Sequence, residues 1–382
     1  MKLDIRRIGT DFRGEYCYTH ARGAFDGKGF GIITTQPLRL SGSDIFYGIH
    51  MLKSYDGGES WGNIEPCKNL KRKSLGGGYE MGICDATPIY HRATDKIILI
   101  GYKNTYLNDE RAPYGTKNAT AYSVYDRENG DFGELRTIEL PDSVGEDFYF
   151  CANGCGQCAE LDNGELLIPV THYPLESEDM PRGKIKMSSA VLRCSFDGET
   201  LRFISVGESI RLDDGRGIYE PSVIGHKDMF YLCLRNDNNG YVTRSCDGQS
   251  FEPIRELCFD DGESLGNYNT QQHFISSPDT LYIVYTRRGA ENDHIFRHRA
   301  PLFIAELDTE RMCVIRSSER VATPERGARL GNFGCATVDE RCGFVIASEW
   351  MQSTPPDDKN YKKCMEYGSD NSIFVTRVIF NE

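Results

Sequence analysis

Ser54-Tyr55-Asp56-Gly57-Gly58-Glu59-Ser60-Trp61 is the segment from which the fold can be read. An aspartate two residues after a serine can accept main-chain N–H groups across a tight turn. The glycine beyond it takes the left-handed backbone position, and the tryptophan plugs the base of a hairpin. Shortened copies stand at Ser195-Phe196-Asp197-Gly198 and at Ser245-Cys246-Asp247-Gly248-Gln249-Ser250-Phe251. Such boxes staple hairpins, and no chemistry is expected of them.

Around the boxes a second element recurs: a Gly or Asp turn followed by a short strand of apolar and β-branched residues. It appears at Lys28-Gly29-Phe30-Gly31-Ile32-Ile33, Thr94-Asp95-Lys96-Ile97-Ile98-Leu99 and Asn163-Gly164-Glu165-Leu166-Leu167-Ile168. It returns at His226-Lys227-Asp228-Met229-Phe230-Tyr231-Leu232, Pro278-Asp279-Thr280-Leu281-Tyr282-Ile283-Val284 and Cys342-Gly343-Phe344-Val345-Ile346. The mean interval is about 63 residues, and helical periodicity is nearly absent. A repeat of that length with hairpin signals predicts an all-β chain folded as a six-bladed β-propeller of four-stranded antiparallel blades. No linker divides it, so residues 1–382 are expected to form one domain. The polar stretch from Gln352 to Asp370, with Pro355-Pro356-Asp357-Asp358, reads as loop. The apolar end at 373–380 reads as a strand that closes the ring by completing the first blade.

The 382 residues are 39% hydrophobic and 26% charged, a globular composition. With 44 Lys and Arg against 57 Asp and Glu, the net charge of -13 argues against nucleic acid or an anionic membrane as partner. No apolar run is long enough for a transmembrane helix. The start, Met1-Lys2-Leu3-Asp4-Ile5-Arg6-Arg7, has no signal-peptide pattern, so a cytoplasmic location is expected. Fourteen Cys in so long a chain are then reduced, mostly buried thiols. Cys151, Cys155 and Cys158 lack a fourth ligand at regular spacing, and no metal or other cofactor is expected.

In a propeller the inner strands converge on an axial channel, so charged residues embedded in apolar strands mark its mouth. Arg22 precedes the first repeated strand and Glu220 the fourth. Arg235 ends a strand of that blade, and Arg299 follows 64 residues later, one blade on. Guanidiniums aimed at one axis repel each other unless an anion sits among them, which predicts a site for a substrate carboxylate.

In this order (Arg22, Asp44, the Asp box, Glu220-Pro221-Ser222-Val223, Leu234-Arg235, the second box and Arg299) the sequence resembles the sialidase (neuraminidase, Asp-box or BNR repeat) superfamily. The resemblance spans roughly residues 15–350 and implies a six-bladed propeller enzyme. It makes Arg22, Arg235 and Arg299 the arginine triad that binds the sugar carboxylate. It likewise makes Asp44 the acid/base aspartate, and Glu220 the glutamate that polarises a nucleophilic tyrosine. That tyrosine is where the sequence departs, because the corresponding segment, Arg326 to Gly334, holds Phe333. Tyr47, Tyr219 and Tyr268 are the substitutes at hand. As a strand neighbour of Glu220, Tyr219 is expected to face the other way.

Two chemistries fit these residues. In an inverting glycosidase, Asp44 serves as acid and Glu220 as base, with Asp85 in reserve. In a lyase acting on a uronate, arginines neutralise the carboxylate and a His or Tyr takes the adjacent proton. His20, which shares a strand face with Arg22, and His273 are the candidate bases. Arg297, His298 and Tyr268 are expected to contact substrate. A metal on His294 and His298 would need a helix there, and the flanking sequence argues against one. The expected function is an exo-glycosidase on an acidic sugar, such as a sialic or uronic acid in an oligosaccharide. The alternatives are a lyase on uronate oligosaccharides and a non-catalytic glycan-binding propeller. Oligomeric state is left open.

Overall fold

Each of the six repeated runs is the second strand of its own antiparallel sheet. The computed structural model describes residues 1–40, 44–112, 119–175, 184–355 and 360–380. The first sheet runs Tyr16–Phe25, Gly31–Arg39, His50–Ser54 and Glu65–Pro66 from the inside out, and the fourth runs Tyr219–His226, Met229–Arg235, Gly240–Ser245 and Arg255–Glu256. The inner strands of the second, fifth and sixth sheets are Tyr79–His91, His273–Ser276 and Gly334–Thr337; in the third sheet Phe150–Ala152 and Ala159–Glu160 share that edge. Tyr16–Phe25 touches Tyr79–His91 on one side and Gly334–Thr337 on the other. The remaining sheets complete the circuit through like contacts. This is a β-propeller arrangement.

The apolar runs are continuous because each second strand is buried on both faces. Adjacent residues therefore serve different junctions. Ile32 packs with Leu99 and Phe132 of the second sheet, and Ile33 with Phe344 and Val375 of the sixth. Ile168 faces Ile98 and Tyr122, whereas Leu167 faces Val223 and Leu232. Tyr231 packs on Ile283 and Phe303, and Ile275 on Val345 and Phe374. The core is thus a ring of interfaces between sheets rather than one central mass.

The boxes do what their chemistry requires. Asp56 Oδ1 accepts the Ser54 hydroxyl (2.8 Å) and the Ser60 N–H (2.9 Å), while Trp61 meets Phe25 edge-on at 5.9 Å between ring centroids. Asp247 Oδ1 accepts the Gln249 and Ser250 N–H groups at 2.8 Å each, and Asp197 Oδ1 those of Glu199 and Thr200.

Three expectations are corrected. The sheets are not uniformly four-stranded: the third and fifth have five strands and the second seven, because short strands such as Glu110–Arg111 and Arg136–Thr137 form in the long connections. Nor does the C-terminal strand complete the first sheet. Ile373–Ile379 lies inside the sixth, and the N-terminal strand Lys2–Ile8 crosses over to pair with it as the outermost strand. The stretch read as loop contains a helix, Tyr361–Glu366; Pro356, Asp357 and Asp358 lie outside the described residues. Among the described residues no helix is long and apolar enough to cross a membrane. All fourteen cysteines are free.

Candidate active site at the axial mouth

Six residues with positive φ stand at or just before the six inner strands: His20 (56°), Asp85 (51°), Cys155 (60°), Glu220 (47°), Asn269 (48°) and Asn332 (79°). None is glycine, so each conformation costs about 1 kcal/mol or more and persists only where surrounding structure imposes it. The ladder slips at the same places, between Thr19 and Arg22, Cys84 and Thr87, and Tyr219 and Ser222. A left-handed residue turns its side chain out of the strand alternation, and here the six polar groups join one network.

Asn332 Nδ2 lies 2.5 Å from His20 Nε2, and His20 Nδ1 lies 2.9 Å from Asp85 Oδ1. The Cys155 thiol donates to the same Asp85 oxygen at 3.2 Å. Across the channel, Arg235 donates through Nη1 to Glu220 Oε2 (2.5 Å) and through Nη2 to Asn269 Oδ1 (2.6 Å). Arg299 closes the chain by donating to the Asn269 carbonyl and to Asn332 Oδ1 (3.3 Å). The Gln271 amide, turned so that each end meets a complementary partner, places its nitrogen 3.1 Å from Glu220 Oε2 and its oxygen 3.2 Å from the Asn332 N–H.

The charge states follow from burial and neighbours. Burial works to raise the Asp85 carboxyl, but His20, Arg22 and the Cys155 thiol outweigh it and hold the group well below the usual carboxylate range. Burial lowers His20, so the pair is an ionised carboxylate beside a neutral imidazole. Burial also works against charge on Arg235, and Glu220 more than restores it. Arg299 has no ion-paired carboxylate among the described residues; burial, Arg235 and Arg297 push it down to about 9, against the pull of Glu220. A guanidinium keeps its proton inside proteins, so Arg299 is a buried cation opposed first by desolvation and then by its arginine neighbours.

The other expected residues fall around this network. Arg22 is fully buried, and its Nε and Nη1 donate to the Phe333 and Ala86 carbonyls at 3.0 and 3.1 Å. These bonds tie the first inner strand to the second and to the lead-in of the sixth. Asp44 stands at the rim beside Arg111 (3.0 Å); Ser41, Gly42 and Ser43 lie outside the described residues. His273 is under the floor, bonded to Ser222 Oγ (2.9 Å) and edge-on to Phe333, with burial holding it at about 3. Tyr268 bonds His298 Nδ1 (2.6 Å), whose Nε2 lies 3.1 Å from Asp293. Arg297 is exposed on the rim, its charge opposed by burial and by Arg235. Tyr47 points away, to Asp109 at 3.1 Å.

The expectation for Tyr219 fails for a physical reason. Glu220 is left-handed, so both neighbours reach Arg235, with the Tyr219 ring 4.8 Å from the guanidinium carbon. Its hydroxyl donates to Asp237 at 2.7 Å. Phe333 is fully buried. Cys151 packs in the core and Cys158 lies beside Asn153, away from the Cys155–Asp85 contact. Among the described residues no group of three or more His, Cys, Asp or Glu side chains is placed to hold a metal ion.

Solved structures share the fold. A protein of unknown function from Dyadobacter fermentans aligns over 98% of this chain and 99% of its own, with 15% identity and a TM-score of 0.66. A Trypanosoma rangeli sialidase in complex with the inhibitor DANA aligns over 98% of this chain at 12% identity and TM-score 0.60. A Hadza microbial sialidase aligns over 95% at 11% identity and TM-score 0.60. The chain spans 59% and 65% of those two sialidases. No protein-family profile and no curated protein sequence matches it. The likeness is one of fold: a sialidase-like β-propeller.

Proposed function

We propose that this chain is a carbohydrate-active enzyme of the sialidase superfamily, one domain whose six sheets are the six blades, acting on an acidic sugar at the end of an oligosaccharide. The observation that carries this is the pair Arg235 and Arg299, buried, converging on Asn269, and short of negative charge. A sugar carboxylate supplies the missing anion and accepts bidentate guanidinium bonds. In the hydrolytic reaction Glu220, paired with Arg235, takes a proton from water as the water oxygen bonds to the anomeric carbon. The glycosidic C–O bond breaks, and Asp44 gives its proton to the leaving oxygen.

A second reading is supported by the His20–Asp85 pair. A neutral imidazole oriented by an ionised carboxylate is the arrangement of a general base. A lyase would use it to remove the proton adjacent to a uronate carboxylate, with the C–O bond at the neighbouring carbon breaking to leave a double bond.

A product assay on acidic oligosaccharides separates the two. Hydrolysis yields a saturated sugar and a new reducing end, whereas elimination yields a conjugated product absorbing in the near ultraviolet. Glu220→Gln should cut hydrolytic turnover by at least about a hundredfold. Wild-type turnover in that variant would remove Glu220 from the chemistry, and no product with any acidic oligosaccharide would leave a binding propeller.

A further inference from the structure

Four guanidiniums are almost completely buried near the axial mouth: Arg22, Arg235, Arg299 and Arg329. The first lies in the field of Asp85, which it helps to keep ionised, and the second is paired with Glu220. Arg299 and Arg329 have no carboxylate partner within ion-pairing distance among the described residues.

Arg329 is built into the same wall as Arg299. The Leu330 N–H donates to the Arg299 carbonyl at 2.6 Å, and the Trp350 N–H to the Arg329 carbonyl at 2.9 Å. Its guanidinium carbon lies 3.3 Å from the Trp350 ring centroid and 4.8 Å from that of Phe296. Trp350 in turn meets His20 edge-on at 5.8 Å, which places Arg329 one ring away from the network. Its Nε and Nη2 are buried without a hydrogen-bond partner, as is Nε of Arg299. Burial, Arg299 and Arg297 all oppose its charge, and Asp44, the carboxylate acting on it, is already engaged by Arg111. A buried cation left in this state costs several kcal/mol. Stacking on Trp350 returns only part of that.

The balance of buried charge is then simple. Arg22 lies in the field of Asp85 and Arg235 is paired with Glu220, which leaves Arg299 and Arg329 as two guanidiniums without an ion-paired carboxylate among the described residues. We propose that the site takes a doubly charged acidic sugar, its carboxylate held by Arg235 and Arg299 and a second anionic group received by Arg329. This rests on the acidic-sugar reading above and narrows it. The second group is a sulfate ester, a phosphate ester or the carboxylate of an adjoining uronate.

Calorimetric titration tests it with four probes: a uronic acid, its sulfate ester, its phosphate ester, and a uronate disaccharide. At least one doubly charged probe should bind the wild-type protein about tenfold or more tighter than the uronic acid, a difference of about 1.4 kcal/mol. Which one does so identifies the second group. In Arg329→Met, whose flexible apolar chain still fills the slot between Trp350 and Phe296, that preference should fall below about threefold while uronic acid affinity is kept. A preference that survives Arg329→Met, or a wild type that binds all four alike, overturns the inference and leaves the acidic-sugar reading standing. Binding of none of the four overturns both. Should Arg329→Met not fold, Trp350 provides the readout. The chain has two tryptophans, so a Trp61→Phe background isolates its emission. The preferred probe should shift that emission and the uronic acid should not; a bound doubly charged probe that leaves it unchanged counts against Arg329.

Discussion

Glu349 is nearly inaccessible; its Oε2 accepts the Asp370 and Ser372 N–H groups (2.9 and 3.0 Å), and Arg326 stands 3.4 Å from Oε1. Burial outweighs these partners and pushes the carboxyl up to about 7. With the folded value above the unfolded one, the native state binds the extra proton between about pH 4.5 and 7, so stability falls as pH rises through that window. Glu349→Gln should remove the fall, of the order of 3 kcal/mol, in denaturant titrations at pH 5 and 8. An unchanged difference between the two pH values would show the group to be ordinary. The residues visible in the sequence were those whose charge clashed with an apolar strand, such as Glu220 in Ile218 to Val223 and Arg235 after Leu234. Arg329 was not, because Arg326 to Gly334 is polar and glycine-rich and reads as surface loop. Asn269 and Asn332 carry no charge to draw notice. What betrays them is a left-handed backbone, and sequence hints at that only through the tolerance of Asn for it.

At the scale of strands, alternation located the hairpins but misplaced side chains wherever a left-handed residue interrupts it. The Tyr219 error has that origin: it assumes an unbroken period of two, and the ladder slips between Tyr219 and Ser222. The second strands were legible because burial on both faces writes an uninterrupted apolar run. The inner strands were less so, since their outer ends are spent on the network. Their close packing sets a further requirement. A Cβ on Gly334 would lie 2.7 Å from Arg22 Cγ and 3.2 Å from Arg22 Cα, so the strands Gly334–Thr337 and Tyr16–Phe25 could not keep their separation. Gly334→Ala should therefore cost about 1–3 kcal/mol. Gly9→Ala, where nothing lies within 4 Å, should stay within about 0.5 kcal/mol. Equal stability of the two variants in urea would show that the inner strands are free to separate.

The whole ring depends on a join between distant parts of the chain. Lys2–Ile8 pairs with Ile373–Ile379 in unbroken register, from Lys2 opposite Ile379 to Ile8 opposite Ile373. This is the reverse of the expected closure, and composition could not have told the two apart, since either terminal strand can supply the last ladder. Removing residues 1–9 would leave Ile373–Ile379 as an open edge, a template for pairing with another copy. It would also strip Leu3 from the cluster that holds Val378 and Phe380. The truncated chain should melt at a lower temperature and self-associate in size-exclusion chromatography. A synthetic peptide of residues 1–9 should restore both properties by adding back the strand, because the ladder supplies main-chain hydrogen bonds whether or not the strand is covalently attached. A truncated chain that stays monomeric with an unchanged melting temperature would mean that the contacts between sheets close the propeller without the clasp.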